Sequence, residues 1–167
     1  MSSATASYRI GVLSDTHGSL HSGVFRAFED VDLIIHAGDV GRADVLVELA
    51  QLADVRAVSG NVDAFDGPRR TILELTTPIG RIGVTHGHAG RASAFDYGSL
   101  VGFFREFAPE IIIFGHTHEP VLTSRAHVTL FNPGSASRPR SGTSPTVGLI
   151  SARGGGEAPL FEHIPLK

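Results

Sequence analysis

Five short clusters in this 167-residue chain set Asp, His or Asn beside glycine. They are Ser14-Asp15-Thr16-His17-Gly18, His36-Ala37-Gly38-Asp39, Ser59-Gly60-Asn61-Val62-Asp63, Thr85-His86-Gly87-His88 and Gly115-His116-Thr117-His118. Imidazole nitrogen, carboxylate oxygen and amide oxygen together are the donors that hold Mn, Fe, Zn, Ni or Co. A dedicated Mg or Ca site would draw on oxygen alone. Thiolate sites and disulfides are excluded, because the chain has no cysteine. Two ions in one such site need a bridging carboxylate to offset their repulsion and sit about 3.5–4 Å apart.

Taken singly, each cluster has an ordinary structural use: Asp-Thr-His as a turn, Gly-Asp as a helix start, His86 as a loop histidine. Only Gly-His-Thr-His, with two imidazoles one residue apart, suggests chelation by itself. Jointly the five are harder to dismiss, because each follows a segment that reads as a β-strand. Tyr8 to Leu13, Asp32 to His36 and Asp54 to Ser59 are the first three strands. Helical patterns lie between them: Leu20, Val24 and Phe28 after Ser19 as N-cap, then Val45, Leu49 and Leu52. This rhythm predicts a parallel α/β core with right-handed crossovers. Arg70 to Thr76 and Arg81 to Thr85 flank Pro78 and Gly80 and read as a hairpin. Ser93 to Phe107 carries a helical face, and Ile111 to Phe114 is the most apolar run and a central strand. Further strands are expected near Val121, at His127 to Phe131, Thr146 to Ser151 and Leu160 to Ile164, the last two turned by Gly154-Gly155-Gly156. Two mixed sheets packed face to face with helices outside is the simplest architecture. Ligands in open α/β sheets bind at the carboxyl ends of strands, where these clusters fall.

Composition narrows the partners. With 41% hydrophobic and 19% charged residues the chain has a core to bury. A net charge of -3 offers no basic face for a nucleic-acid polymer, and no apolar run approaches the roughly 20 residues of a membrane span. Residues 1–7 are expected to form a loose tail without the apolar stretch of a signal peptide, and residues 8–167 a single domain, consistent with the cytoplasm. Self-association is left open.

Asp15-x-His17, Gly38-Asp39, Gly60-Asn61, His86-Gly87-His88, Gly115-His116-x-His118 and Asn132-Pro133-Gly134-Ser135 resemble the motif series of the calcineurin-like metallophosphoesterases. The resemblance is nearest to their small single-domain bacterial and archaeal phosphodiesterase branch. It implies a four-layer α/β/β/α sandwich and two divalent ions, Mn first among the candidates. One ion would be held by Asp15, His17, Asp39 and His118, the other by Asp39, Asn61, His86 and His116, with Asp39 bridging. The implied activity is hydrolysis of small phosphodiesters, a metal-bridged hydroxide attacking phosphorus in line with the leaving alkoxide. Asn61 would serve both metal and phosphate. Where many family members carry a histidine after Gly-Asn, this chain has Val62, which cannot protonate a leaving group. His88 is the candidate substitute, or alternatively a hydrogen-bond partner of the ligands. Asp63 is expected to orient the Asn61 loop; Arg138 and Arg140 lie in a loop that could reach a phosphate, although loop arginines are usually solvated. His36 reads as a packed core histidine, and His21, His127 and His163 as structural or exposed. The competing reading is a protein-binding scaffold of the same fold, as in a subunit of the vacuolar sorting machinery.

Overall fold

Alternation along the strands decides how the layers stack. A computed structural model describes residues 7–63, 70–88, 96–153 and 157–167. In order, the elements are β1 (Ser7–Leu13), α1 (Gly23–Ala27), β2 (Leu33–His36), α2 (Ala43–Leu49), β3 (Asp54–Ala57), β4 (Ile72–Thr77) and β5 (Gly80–Thr85), followed by α3 (Tyr97–Phe103), β6 (Ile111–Ile113), β7 (Pro120–Arg125), β8 (Val128–Pro133), β9 (Thr146–Arg153) and β10 (Leu160–Pro165). They build two five-stranded mixed sheets, ordered β10-β9-β1-β2-β3 and β4-β5-β6-β8-β7. Strands β1, β2 and β3 run parallel, as do β5, β6 and β8.

On β1, Ile10 and Val12 face the second sheet, and on β2 Leu33 and Ile35 do the same. They meet Leu73, Ile82, Val84, Ile111, Ile113 and Phe131 in a central core. The intervening residues, Leu13 and Ile34, point outward and pack with Val24, Phe28, Val45 and Leu49 under α1 and α2. Ile112 and Leu130 face outward from the second sheet toward Leu100 of α3 and Phe104 just beyond its end. Period-two alternation in both sheets thus produces helix, sheet, sheet and helix as layers. This is the expected α/β/β/α sandwich. Ile111–Ile113 is the middle strand of its sheet, as its unbroken apolar run predicts.

Three expectations shift in detail. The first helix begins at Gly23, not after Ser19, and its N-cap Ser22 makes no side-chain cap bond. Residues 18 and 19 are committed elsewhere: the Gly18 amide donates to the Val40 carbonyl and the Ser19 amide to the Thr16 carbonyl. The third helix is shorter than predicted, starting after Asp96, whose carboxylate accepts from the Gly98 amide. Residues 93–95 of the expected span lie outside the described residues. β1 opens at Ser7, paired with Arg153, so that residue is not part of a tail. β9 and β10 pair antiparallel as expected, while the Gly154–Gly156 turn lies outside the described residues.

Candidate metal centre

The parallel strands all deliver their carboxyl ends to one edge of the sandwich. β1 presents Asp15 and His17, β2 presents Asp39, β3 leads to Asn61, β5 to His86, and β6 to His116 and His118. Asp15, His17, Asp39, His116 and His118 have φ of 55, 47, 53, 70 and 61°, in the left-handed region. Non-glycine residues adopt it only when their surroundings hold them there, and such strain gathers at functional sites. The backbones also approach too closely for ordinary side chains. A Cβ on Gly60 would lie 2.0 Å from Asp39 Oδ1, and one on Gly115 would lie 2.0 Å from Ser14 Oγ.

Asp15, Asp39 and His86 form the buried wall, whereas Asn61 and His116 stand at an exposed rim. Hydrogen bonds behind the ligands fix which imidazole nitrogen faces inward. His86 Nδ1–H donates to the Ala37 carbonyl at 2.7 Å, leaving the Nε2 lone pair 3.4 Å from Asp39 Oδ1 and 3.9 Å from Asp15 Oδ1. His118 Nδ1–H donates to the Arg138 carbonyl, turning its Nε2 to within 3.2 Å of Asp15 Oδ1 and 3.3 Å of His17 Nε2. His17 Nε2 is 3.8 Å from Asp39 Oδ2. Asn61 Oδ1 lies 3.1 Å from His116 Nδ1.

Acceptors therefore face acceptors. Asp15 Oδ1 and His86 Nε2 are buried and have no hydrogen-bond partner among the described residues. Burying such groups unsatisfied is costly, and a cation between them removes the cost. Asp15, His17 and His118 each offer a ligand atom within 4.8 Å of the others, and so do Asp15, Asp39 and His86. The donor set fits the divalent ions expected from the sequence.

The electrostatics agree. Burial alone would raise the Asp39 carboxyl, but the His86 ring, the Val62 amide and His17 outweigh it and hold it down at about 2. Asp15 is likewise lowered, burial being outweighed by His118, His86 and Ser14. Both carboxylates are thus anions at neutral pH. Burial opposes charge on His86, yet Asp39 and Asp15 raise its pKa; the Asp15 carboxylate 3.2 Å away raises that of His118 against burial.

The remaining predicted residues separate by role. Asp63 accepts from the Val40, Gly41 and Gly60 amides at 3.1, 2.8 and 2.8 Å, tying the loop that carries Asn61 to the end of β2. Val62 is exposed, and its backbone amide donates to Asp39 Oδ1 at 3.1 Å. His88 stands 5.4 Å from His86 and 6.4 Å from His116 between ring centroids, with a buried Nδ1 that has no partner among the described residues. The Arg138 side chain is exposed, and Arg140 Nε donates to the Thr117 carbonyl at 2.8 Å. His36 is a core histidine: its Nδ1 accepts from the Gly38 amide, and Nε2 meets Thr16 Oγ1, which in turn donates to Val40. His21 accepts from the Gly23 amide, His127 is exposed, and His163 stacks on Phe131 while bonding the Asn132 carbonyl.

Comparison with known proteins accounts for this arrangement. Residues 8–155 match the calcineurin-like phosphoesterase superfamily domain. The chain belongs to that superfamily. A protein of Methanothermobacter thermautotrophicus named "Probable metallophosphoesterase" is 38% identical over 156 residues, covering 87% of this chain and 86% of the relative. A phosphodiesterase of Methanocaldococcus jannaschii is 29% identical over 164 residues, covering 85% of this chain and 92% of its own length. Vacuolar protein sorting 29 from Cryptosporidium parvum shares the fold, with a TM-score of 0.78 at 19% identity over 95% of this chain and 98% of that one. As a family member with relatives named phosphodiesterase and metallophosphoesterase, the chain is a phosphoesterase with groups that can hold divalent metal.

Asn132-Pro133-Gly134-Ser135, at the end of β8 and just beyond it, belongs to the motif series, but its residue types suggest no role for it in the site. Asn132 Nδ2 donates to the Gly115 carbonyl and to Thr117 Oγ1, while Ser135 and Ser137 hydroxyls reach the Asp15 carbonyl. The signal was available: Asn132 closes another strand parallel to β6, so it points to the same edge.

Proposed function

We propose that this phosphoesterase is a dinuclear phosphodiesterase that hydrolyses small phosphodiesters. The observation that carries the reading is the buried meeting of Asp15, Asp39 and His86 acceptors, with His17, His118, Asn61 and His116 completing two donor sets. Asp15, His17, Asp39 and His118 would hold one ion; Asp39, Asn61, His86 and His116 the other. Two divalent ions, manganese by preference and otherwise Ni, Fe, Zn or Co, would supply charge neutralisation at phosphoryl oxygen and an acidified water. In this assignment Asp39, held at about 2, is the carboxylate shared by both ions, while Asp15 is the residue common to the two tightest groups of ligand atoms. Asn61 turns Oδ1 toward His116 and keeps its amide N–H groups to donate to a phosphoryl oxygen at the exposed rim. His88 is assigned the hydrogen bond to the leaving oxygen, because its Nδ1 has no partner among the described residues and Val62 can provide none. Arg138, exposed beside His17, is assigned the outer part of the substrate.

The test is purification without chelator, addition of Mn, and assay of a chromogenic phosphodiester beside the monoester. Diester hydrolysis in excess of monoester hydrolysis is expected. No hydrolysis of either with Mn, Ni, Co or Zn overturns the enzymatic reading. The likeness in fold to vacuolar protein sorting 29 motivates the scaffold alternative, which would be favoured by a folded protein holding less than one ion per chain.

A further inference from the structure

Asn132-Pro133-Gly134-Ser135 has no place among the ligands, yet its side chains are buried against them. The Ser135 hydroxyl is saturated. It donates to the Asp15 carbonyl at 2.9 Å and accepts from the Arg138 amide at 2.8 Å and the Ser137 amide at 3.3 Å. The Arg138 carbonyl in turn accepts from His118 Nδ1–H. One oxygen therefore joins two routes into the same donor set. The first runs directly to the backbone of Asp15, a residue held at φ 55°. The second runs through residue 138 to the His118 ring, determining that Nε2 faces Asp15. His86, on the other side of the site, takes its orientation from the Ala37 carbonyl and has no bond to this segment.

We propose that Ser135 is a positioning residue for the Asp15–His17–His118 half of the site, setting the Asp15 backbone and the His118 tautomer together. This rests on the two-ion reading above. Hydrogen bonds behind metal ligands typically carry about 10–100-fold in affinity. Removing the Ser135 hydroxyl should therefore weaken one ion and spare the other. Ser137 is the comparison, because its hydroxyl reaches the Asp15 and Thr16 carbonyls but not the Arg138 amide. Only Ser135 should disturb His118.

The experiment is a zinc titration of the chelator-stripped full chain, followed through the imidazole nitrogen signals of His118 and His86 by nuclear magnetic resonance. In Ser135→Ala the affinity read at His118 should fall about 10-fold or more, and that at His86 should stay within about 2-fold. In metal-free protein the His118 ring should be the Nδ1–H tautomer in wild type and in Ser137→Ala, and a tautomer mixture in Ser135→Ala. Equal weakening at both histidines, or none, overturns the proposal. If Ser135→Ala does not fold, the wild-type tautomer decides: Nδ1–H supports the relay and Nε2–H refutes it. If wild type binds no zinc, the two-ion reading fails, and the metal-free tautomer of Ser135→Ala still judges the positioning role.

Discussion

Asp39 combines three demands: left-handed backbone at φ 53°, burial, and a carboxyl held at about 2. Asparagine tolerates positive φ, so Asp39→Asn removes the charge without adding backbone strain. If Asp39 bridges, this change should loosen both ions and lower diester turnover by at least about 100-fold, beyond the usual cost of one supporting hydrogen bond. Metal content by mass spectrometry checks it; loss of a single ion would contradict the bridge. His36 makes a different prediction. Burial, the largest influence, pushes its pKa down from 6.5 to about 4, so the ring stays neutral when folded and binds a proton more readily when unfolded. Its contribution to stability is complete above pH 6.5 and is lost as pH falls from 6.5 toward 4. The loss amounts to about 3 kcal/mol in metal-free protein. His17, His88 and His116 shift the same way, and His86 and His118 the opposite way, so comparison with His36→Asn isolates the effect. Urea unfolding from pH 7 to 4 should show a flatter profile for the variant; parallel profiles would disprove the assignment.

At the level of elements, the site depends on loops from different strands lying almost in contact. Gly115 follows β6, and a Cβ there would strike Ser14 Oγ at 2.0 Å and Asp15 Oδ2 at 2.9 Å. Ser14 and Asp15 are fully buried, so the loops must separate to admit it. Gly115→Ala should destabilise the fold by about 1–3 kcal/mol and displace His116 and His118 as well. Urea unfolding measures the first consequence and zinc binding the second. Wild-type values for both would mean that the β1 and β6 ends are free to move apart. The same crowding explains why the first helix starts late: amides near Ser19 are drawn into the Thr16 and Val40 carbonyls that frame the site. Helical periodicity at Leu20, Val24 and Phe28 could not reveal that competition, because Val40 is distant in sequence.

Across the whole molecule, the site lies where two sheets meet, so ions held as proposed would tie β1 and β2 of one sheet to β5 and β6 of the other. Ions that bind only the folded chain stabilise it by roughly 2.7 kcal/mol at 100 times their dissociation constant. For a domain of this length that corresponds to a melting-temperature rise of about 5–10 °C per site. Thermal unfolding with excess Mn against chelator should show at least this difference, and no difference would exclude a native-state ion site. Chelation should leave the described core folded, because its apolar layers close without the site: Ile10, Ile35, Ile82 and Ile113 are all buried.

Legibility divided along sequence distance. Strand patterns, the central place of Ile111–Ile113 and the two-sheet sandwich were readable because alternation and apolar runs are local properties. Asp15, His17, Asp39, Asn61, His86, His116 and His118 were readable as candidates because each follows a strand beside glycine, and their motif series is specific. Tertiary structure alone decided which atoms meet and how each ring is turned. Ser135 binds the carbonyl of Asp15 from 120 residues away, a contact with no local signature. His118 owes its inward Nε2 to the Arg138 carbonyl, and His86 owes its own to Ala37. Residue type and spacing determined the chemistry this chain can host. Directional hydrogen bonds across two sheets, which exist only when remote segments pack together, decided its orientation.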